Sequence, residues 1–242
     1  MPYATNQVVM EGFENGLRCL DCKHCFKKSE VFQLLTEEEL ELMNCTRMEA
    51  HYKAGEIIYK QGTPLTHLVI IHTGFAKIYI EGGKGRDLIL TYTRPLDING
   101  GIGVFIDRRH HSSLMAVTDC EACFVEVDTF KKILRSNAEF MEAYMKNYAM
   151  KVQHTYHQFA VLTQKNMEGR MAEVILYLQD KIFNNGSIDN IPKQDLAELT
   201  AMTKESAIRV IKEFKDDGLI EVDGKSIKVK DHKGLEMIAR HG

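Results

Sequence analysis

Half of the six cysteines in this 242-residue chain fall within one short stretch, Cys19-Leu20-Asp21-Cys22-Lys23-His24-Cys25. Thiolates spaced C-x2-C-x2-C can converge on one metal ion or one iron–sulfur cluster. Three ligands are one short of the usual four, so a distant partner is required. Cys45, Cys120 and Cys123 are candidates, with His24 as a further one. A second set of residues carries recognition chemistry rather than ligation. Thr203, Lys204, Glu205, Ser206, Arg209 and Lys212 lie at the start and along one side of a short capped segment near the C-terminus. Arg can donate two bonds to guanine, Glu can accept from cytosine, and Lys, Ser and Thr suit phosphates or base edges. His51, His72, His110 and His111 are candidate haem ligands. No paired acid and base, no nucleophile motif and no phosphate-binding glycine loop opening a helix is present, which argues against an enzyme.

The recognition residues need an element that presents them, and Ile191–Gly218 supplies it. Pro192 suits the start of a first helix over Gln194–Leu199, and Thr200-Ala201-Met202 makes a tight connection. Thr203 is the N-cap of a second helix, in which Ala207, Ile208, Val210, Ile211 and Phe214 form an apolar stripe. Asp217-Gly218 stops it. Leu219–Val222, Asp223-Gly224 and Ile227–Val229 then read as a hairpin. Helix, turn, helix and hairpin make a winged helix, whose second helix enters a DNA major groove.

Upstream, Thr36-Glu37-Glu38-Glu39 is a capped acidic start for a helix within residues 30–44. From Met48 to Val127 the pattern becomes one of short strands: Ile57-Ile58, Leu68–Ile71, Ala76–Ile80, Leu88–Thr91, Ser113–Val117 and Cys123–Val127. Glycines punctuate them, as in an antiparallel barrel or roll. Asn137–Thr163 reads as a long helix. Its residues Met141, Met145, Tyr148, Val152, Thr155, Phe159 and Leu162 alternate four and three apart, a heptad seam that fits a two-stranded coiled coil and hence a homodimer. Met171–Phe183 is another amphipathic helix, with a hinge near Gln164–Gly169.

The composition is that of a globular protein with a formal net charge of −3. Residues 167–242 themselves carry slightly more acid than base. Nucleic-acid affinity therefore rests on local placement, with Lys204, Arg209, Lys212 and Lys215 set against Glu205 and Glu213, and should depend strongly on salt. No apolar run reaches the length of a membrane span and no secretory signal opens the chain, so a cytoplasmic, reducing location is expected. There the cysteines serve as thiols or metal ligands rather than disulfides.

With roll, long helix and winged helix in that order, the chain resembles the CRP/FNR family of bacterial transcription regulators over nearly all of residues 30–230. Gly55-Glu56-Ile57-Ile58-Tyr59-Lys60-Gln61-Gly62 is similar to the family's first roll motif. Leu68–Tyr79 is similar to its next strand, turn and strand, and Pro192–Arg209 to its helix-turn-helix signature. The resemblance implies an α+β architecture: an antiparallel β-roll of the cyclic-nucleotide-binding jelly-roll type, a long dimerisation helix and a C-terminal winged helix-turn-helix. The implied segments are a cysteine-bearing arm at 1–29, a roll at 30–135, a dimerisation helix and hinge at 136–166, and a DNA-binding domain at 167–242.

The resemblance also implies double-stranded DNA with a near-palindromic site as partner, and RNA polymerase if the protein activates. Lys204, Glu205, Ser206 and Arg209 match the family's reading positions. In the family's cyclic-nucleotide-binding members, a Gly-Glu-x-Gly loop holds the ribose and an Arg-Ser pair holds the phosphate. Here those positions read Gly100-Gly101-Ile102-Gly103 and His111-Ser112. Gly101 offers no ribose acceptor, and an imidazole lacks a guanidinium's paired donors, so cyclic AMP is disfavoured; Arg108 and Arg109 lie close by. The cysteine arm instead resembles that of the oxygen-sensing iron–sulfur branch. This implies a [4Fe–4S] cluster on Cys19, Cys22, Cys25 and Cys123, with Cys120 as the alternative fourth ligand. Zinc on the same ligands, a thiol redox sensor, haem or no cofactor remain open alternatives, as does a ligand-binding module that leaves DNA alone.

Overall fold

The computed structural model describes residues 30–83, 87–93, 95–183 and 186–242. These residues divide into two compact units. The first holds the described residues through Ala76 and those from 95 to Met150; the second holds Lys77–Thr93 and Lys151–Gly242. Among the described residues, no helix is long and apolar enough to cross a membrane.

The first unit opens with a 3-10 turn at Glu30–Leu34 and helix α1, Glu37–Thr46. The Thr36-Glu37-Glu38-Glu39 signature forms a capping box. Glu39 N donates to the Thr36 hydroxyl at 3.2 Å, and Thr36 N donates back to the Glu39 carboxylate at 2.9 Å. Three acidic residues in that first turn also complement the helix dipole.

Eight strands follow in chain order: β1 (Met48–Tyr52), β2 (Ile57–Tyr59), β3 (His67–Thr73), β4 (Ala76–Ile80), β5 (Leu88–Thr93), β6 (Ile98–Asn99), β7 (Ser113–Ala116) and β8 (Cys120–Glu126). In the first unit, an antiparallel sheet runs in the order β1-β8-β3-β6, and β2 pairs with β7. β8 is central, with Cys123 opposite Glu49 on one side and Ile70 on the other. Strand alternation puts Cys123 and Val125 on one face, in a core with Val31, Phe32, Leu40, Met43 and Phe130. Cys120, three residues away, points to the opposite face. The β3–β4 turn depends on Gly74, which has φ +81° and lies so close to β8 that a Cβ would stand 2.2 Å from the Asp119 carbonyl oxygen. Gly74→Ala is therefore expected to lower stability by about 3 kcal/mol through left-handed strain and overpacking, read from thermal unfolding.

Where the sequence extends the last strand through Val127, the structure starts a helix instead. α2 (Val127–Ser136) buries Val127, Thr129, Phe130, Ile133 and Leu134. α3 (Ala138–Gln164) follows after Asn137, whose side chain accepts from Phe140 N at 2.9 Å. The same side chain donates to Leu34 O and to the Glu39 carboxylate, tying the start of α3 to α1. Phe130 packs edge-on against Phe140 and Tyr144 at 5.8 and 5.0 Å.

In the second unit β4 pairs with β5. α4 (Met167–Tyr177) is capped by Asn166 and runs into a π turn at Leu178–Ile182. Then come α5 (Lys193–Leu199), α6 (Lys204–Asp216), the antiparallel pair β9 (Ile220–Asp223) and β10 (Ser226–Val229), and α7 (His232–His241). α7 is absent from the sequence reading; it buries Leu235 and Ala239 and packs against α4.

Candidate nucleic-acid interface

The helix-turn-helix is built by local chemistry at each joint. Pro192, with φ −63°, precedes α5, and its carbonyl accepts from Asp195 N at 2.9 Å. The buried Thr200 hydroxyl donates back to Leu196 O at 2.7 Å and closes the helix. The left-handed position of the turn is held by Ala201 at φ +51°, where glycine would be less strained. Thr203 then caps α6, accepting from Ser206 N at 3.2 Å, and Gly218 leaves it at φ +73°.

α6 has two faces. Ala207, Val210, Ile211 and Phe214 are buried. Thr203, Lys204, Glu205, Ile208, Arg209 and Lys212 are exposed, and Ser206 is half-buried. Ile208, expected in the apolar stripe, is 39% exposed and lies among the polar side chains. Helix periodicity explains this, since positions 207, 210, 211 and 214 repeat on one side and 208 does not. The Arg209 guanidinium is 3.8 Å from the Glu213 carboxylate, with both groups largely exposed. Such a surface pair is worth little and leaves Arg209 available to a ligand.

The glycine loop and its neighbours lie in the first unit. Gly100 and Gly101 lead into a 3-10 turn at Ile102–Val104, and a Cβ on Gly103 would sit 1.8 Å from Arg109 O. Backbone thus packs on backbone here. Arg108 forms a two-bond ion pair with Asp128, Arg109 donates to Gly62 O at 2.8 Å, and His111 is 3.0 Å from the Asp107 carboxylate. Between them His110 is buried and stacked on Tyr59, ring centroids 3.9 Å apart, and its Nδ1 has no partner among the described residues. Burial depresses its pKa from 6.5 to about 4. A neutral buried imidazole stabilises the fold fully above pH 6.5. As pH falls towards 4 the unfolded chain takes up a proton that the folded protein resists, so up to about 3 kcal/mol is lost. His110→Phe, which keeps the stacking, is expected to flatten the fall of the melting temperature between pH 6.5 and 4.

Cys19, Cys22, Cys25 and His24 lie outside the described residues. Cys45 is exposed on α1, while Cys120 and Cys123 are buried. Cys120 Sγ donates to the carbonyls of Phe75 and Thr118, both at 3.2 Å, and burial raises its thiol pKa. Cys123 Sγ is 3.5 Å from the Arg47 guanidinium and 3.8 Å from the Glu49 carboxylate. Among the described residues no three His, Cys, Asp or Glu side chains converge on a common point.

Two family models match the chain in sequence. Residues 49–137 match a cyclic nucleotide-binding domain, and residues 169–238 match a Crp-like helix-turn-helix domain. A CRP-like cAMP-activated global transcriptional regulator of Mycobacterium tuberculosis is 22% identical over 218 residues, covering 88% of this chain and 97% of the relative. Electron transport regulator A of Shewanella oneidensis is 25% identical over 232 residues, covering 93% of this chain and 91% of the relative. The structure of FixK2 from Bradyrhizobium japonicum superposes with a TM-score of 0.73 at 18% identity, covering 79% of this chain and 96% of that one. Sheet topology, long helix, capped α5–α6 pair and both domain matches agree, and the chain belongs to the CRP/FNR family of transcription regulators, DNA-binding proteins rather than enzymes.

Proposed function

We propose that the protein is a homodimeric regulator that reads a near-palindromic DNA site with α6 and is gated by an iron–sulfur cluster. The observation that carries the reading of DNA is the clean separation of α6 into a buried apolar face and an open face bearing Lys204, Glu205, Arg209 and Lys212, with Thr203 and Ser206 at its start. Arg209 is the guanine reader, Glu205 the cytosine acceptor, and Lys204, Ser206 and Lys212 hold phosphates. Ile208, exposed between them, is placed to touch a thymine methyl. Where the protein activates, RNA polymerase is its further partner.

Dimerisation is supported by α3. Met141, Met145 and Phe159 of the heptad seam are 45%, 51% and 71% exposed in the single chain, while Phe140, Tyr144 and Val161 are buried. A partner helix is the natural cover for such a seam.

The gating proposal rests on Cys123. It lies on the face of β8 that packs with Val31, Phe32 and Leu35, the residues directly following the cysteine arm, and its sulfur lies beside the Arg47–Glu49 ion pair. Cys120 faces the other way, with its thiol bonded to two carbonyls. Cys19, Cys22, Cys25 and Cys123 would hold a [4Fe–4S] group, which supplies sensitivity to oxygen, nitric oxide or redox state. The Shewanella relative, named for electron transport regulation, is consistent with such a signal. The test is iron analysis and absorption spectroscopy on protein purified without oxygen. About four irons per chain are expected in the wild type and in Cys120→Ser, with loss of colour and iron in Cys123→Ser. Full retention of iron in Cys123→Ser would remove Cys123 from the ligand set. One colourless zinc per chain would favour a structural metal instead.

A further inference from the structure

The β4–β5 hairpin belongs by sequence to the segment that matches a cyclic nucleotide-binding domain, yet it forms part of the compact unit that carries the helix-turn-helix. A polar network inside that unit binds it there. Lys77 Nζ on β4 is 2.8 Å from Asp195 Oδ1 on α5, and 3.7 Å from the Glu198 carboxylate one turn on. The buried Tyr92 hydroxyl on β5 donates to Asp195 Oδ2 at 2.8 Å. Both oxygens of Asp195 are thus occupied, and the side chains of Asp195 and Lys77 are only 6% and 13% exposed. Two further ties run alongside. Thr91 Oγ1 is 2.5 Å from Tyr177 OH on α4, itself stacked on His154 of α3, and Gln158 of α3 donates to Ile89 O.

A buried, fully paired charge is a poor source of net stability, but it is sharply geometric: removing one partner leaves an uncompensated charge. Asp195 and Glu198 would be two such carboxylates without Lys77. α5 in turn packs on α6, with Met202 N donating to Ala197 O across the turn. The hairpin strands lie between two segments of the first unit, following Ala76 and preceding the segment described from residue 95.

We propose that Lys77, Tyr92 and Asp195 form a latch that makes the β4–β5 hairpin a lever on the helix-turn-helix. Strain arriving along the strands of the sensor segment reaches α5 directly, beside the covalent route through α3 and α4. Asp195 is a positioning residue: it sets the attitude of α5 and through it the reading helix. The inference rests on the assignment of α6 as that helix.

The experiment compares the wild type with Lys77→Met, which unpairs the carboxylates, and Tyr92→Phe, which removes one hydrogen bond and nothing else. Amide hydrogen exchange is followed by mass spectrometry. Affinity is measured for two duplexes, one selected by the wild type from a random pool and one of scrambled sequence. In Lys77→Met, exchange is expected to quicken about tenfold in residues 77–83 and 193–199 together, with Leu68–Ile71 unchanged, and in Tyr92→Phe by less. The ratio of specific to scrambled affinity is expected to fall about tenfold in Lys77→Met. A variant that merely lost folded protein would weaken both duplexes equally and leave that ratio alone. Faster exchange in the hairpin without α5, or an unchanged ratio while Arg209→Ala lowers it, would overturn the latch. If Arg209→Ala also leaves the ratio intact, the reading-helix assignment is what has failed, and the exchange result alone decides the latch.

Discussion

Arg209→Ala is expected to lower affinity for the protein's own DNA site about a hundredfold while changing affinity for random duplex by no more than a few-fold. One bidentate contact to guanine discriminates by about 1–3 kcal/mol, and a dimer makes it twice. The residue lies in the middle of the exposed face of α6, and among the described residues its one ion pair is the 3.8 Å surface contact with Glu213, so its loss should leave the helix intact. Lys212→Ala makes the contrast. A phosphate-contacting lysine should weaken all sequences alike and reduce the steepness of the salt dependence by about one unit per contact. Titration of both variants against selected and scrambled duplexes at several salt concentrations separates the roles. Equal losses on both duplexes for Arg209→Ala would move base reading to another part of α6.

Met145→Glu is the second large effect. Met145 is 51% exposed in the single chain, so the substitution should change monomer stability by less than about 0.5 kcal/mol. In a two-stranded coiled coil the same position is covered from both sides. The dimer then loses two buried methionines, each worth about 1.5–3 kcal/mol, and must desolvate two like charges in their place. A rise in the dimer dissociation constant of about a thousandfold is expected by analytical ultracentrifugation, along with a matching loss of affinity for a two-half-site duplex. Lys146→Glu, one residue off the seam, is the control and should remain dimeric. A fully dimeric Met145→Glu would place the subunit contact elsewhere than the α3 seam.

Elements with local chemistry were legible in the sequence. The Thr36 capping box, the Thr203 cap and the Gly218 stop of α6 are each decided within a few residues, and the structure has all three. The β9–β10 hairpin appears where Asp223-Gly224 announces it, with Gly224 at φ +57°. α3 was legible because nothing between Asn137 and Gln164 interrupts a helix. What escaped was decided by tertiary context. α2 hides because Val127 continues the alternation of β8, so strand and helix share one apolar run. β1, Met-Glu-Ala-His-Tyr, lacks an apolar alternation and is a strand because β8 offers it an edge. In the candidate site, the facing of α6 follows from helical period alone, which puts Ala207, Val210, Ile211 and Phe214 inside and Ile208 on the open face. The contrast between Cys123 and Cys120 needed the packing around β8. The Lys77–Asp195 pair joins residues 118 apart and has no local signature at all.

In the proposed regulator, two copies of α6 read two half-sites on one face of DNA. The most direct test selects duplexes from a random pool with the full-length protein and maps the winners by hydroxyl-radical footprinting. An inverted repeat is expected, with the centres of its two protected half-sites about one helical turn, roughly 34 Å, apart and protection lost at both when Arg209 is replaced. A selected site without two-fold symmetry, or no enrichment at all at low salt, would contradict it.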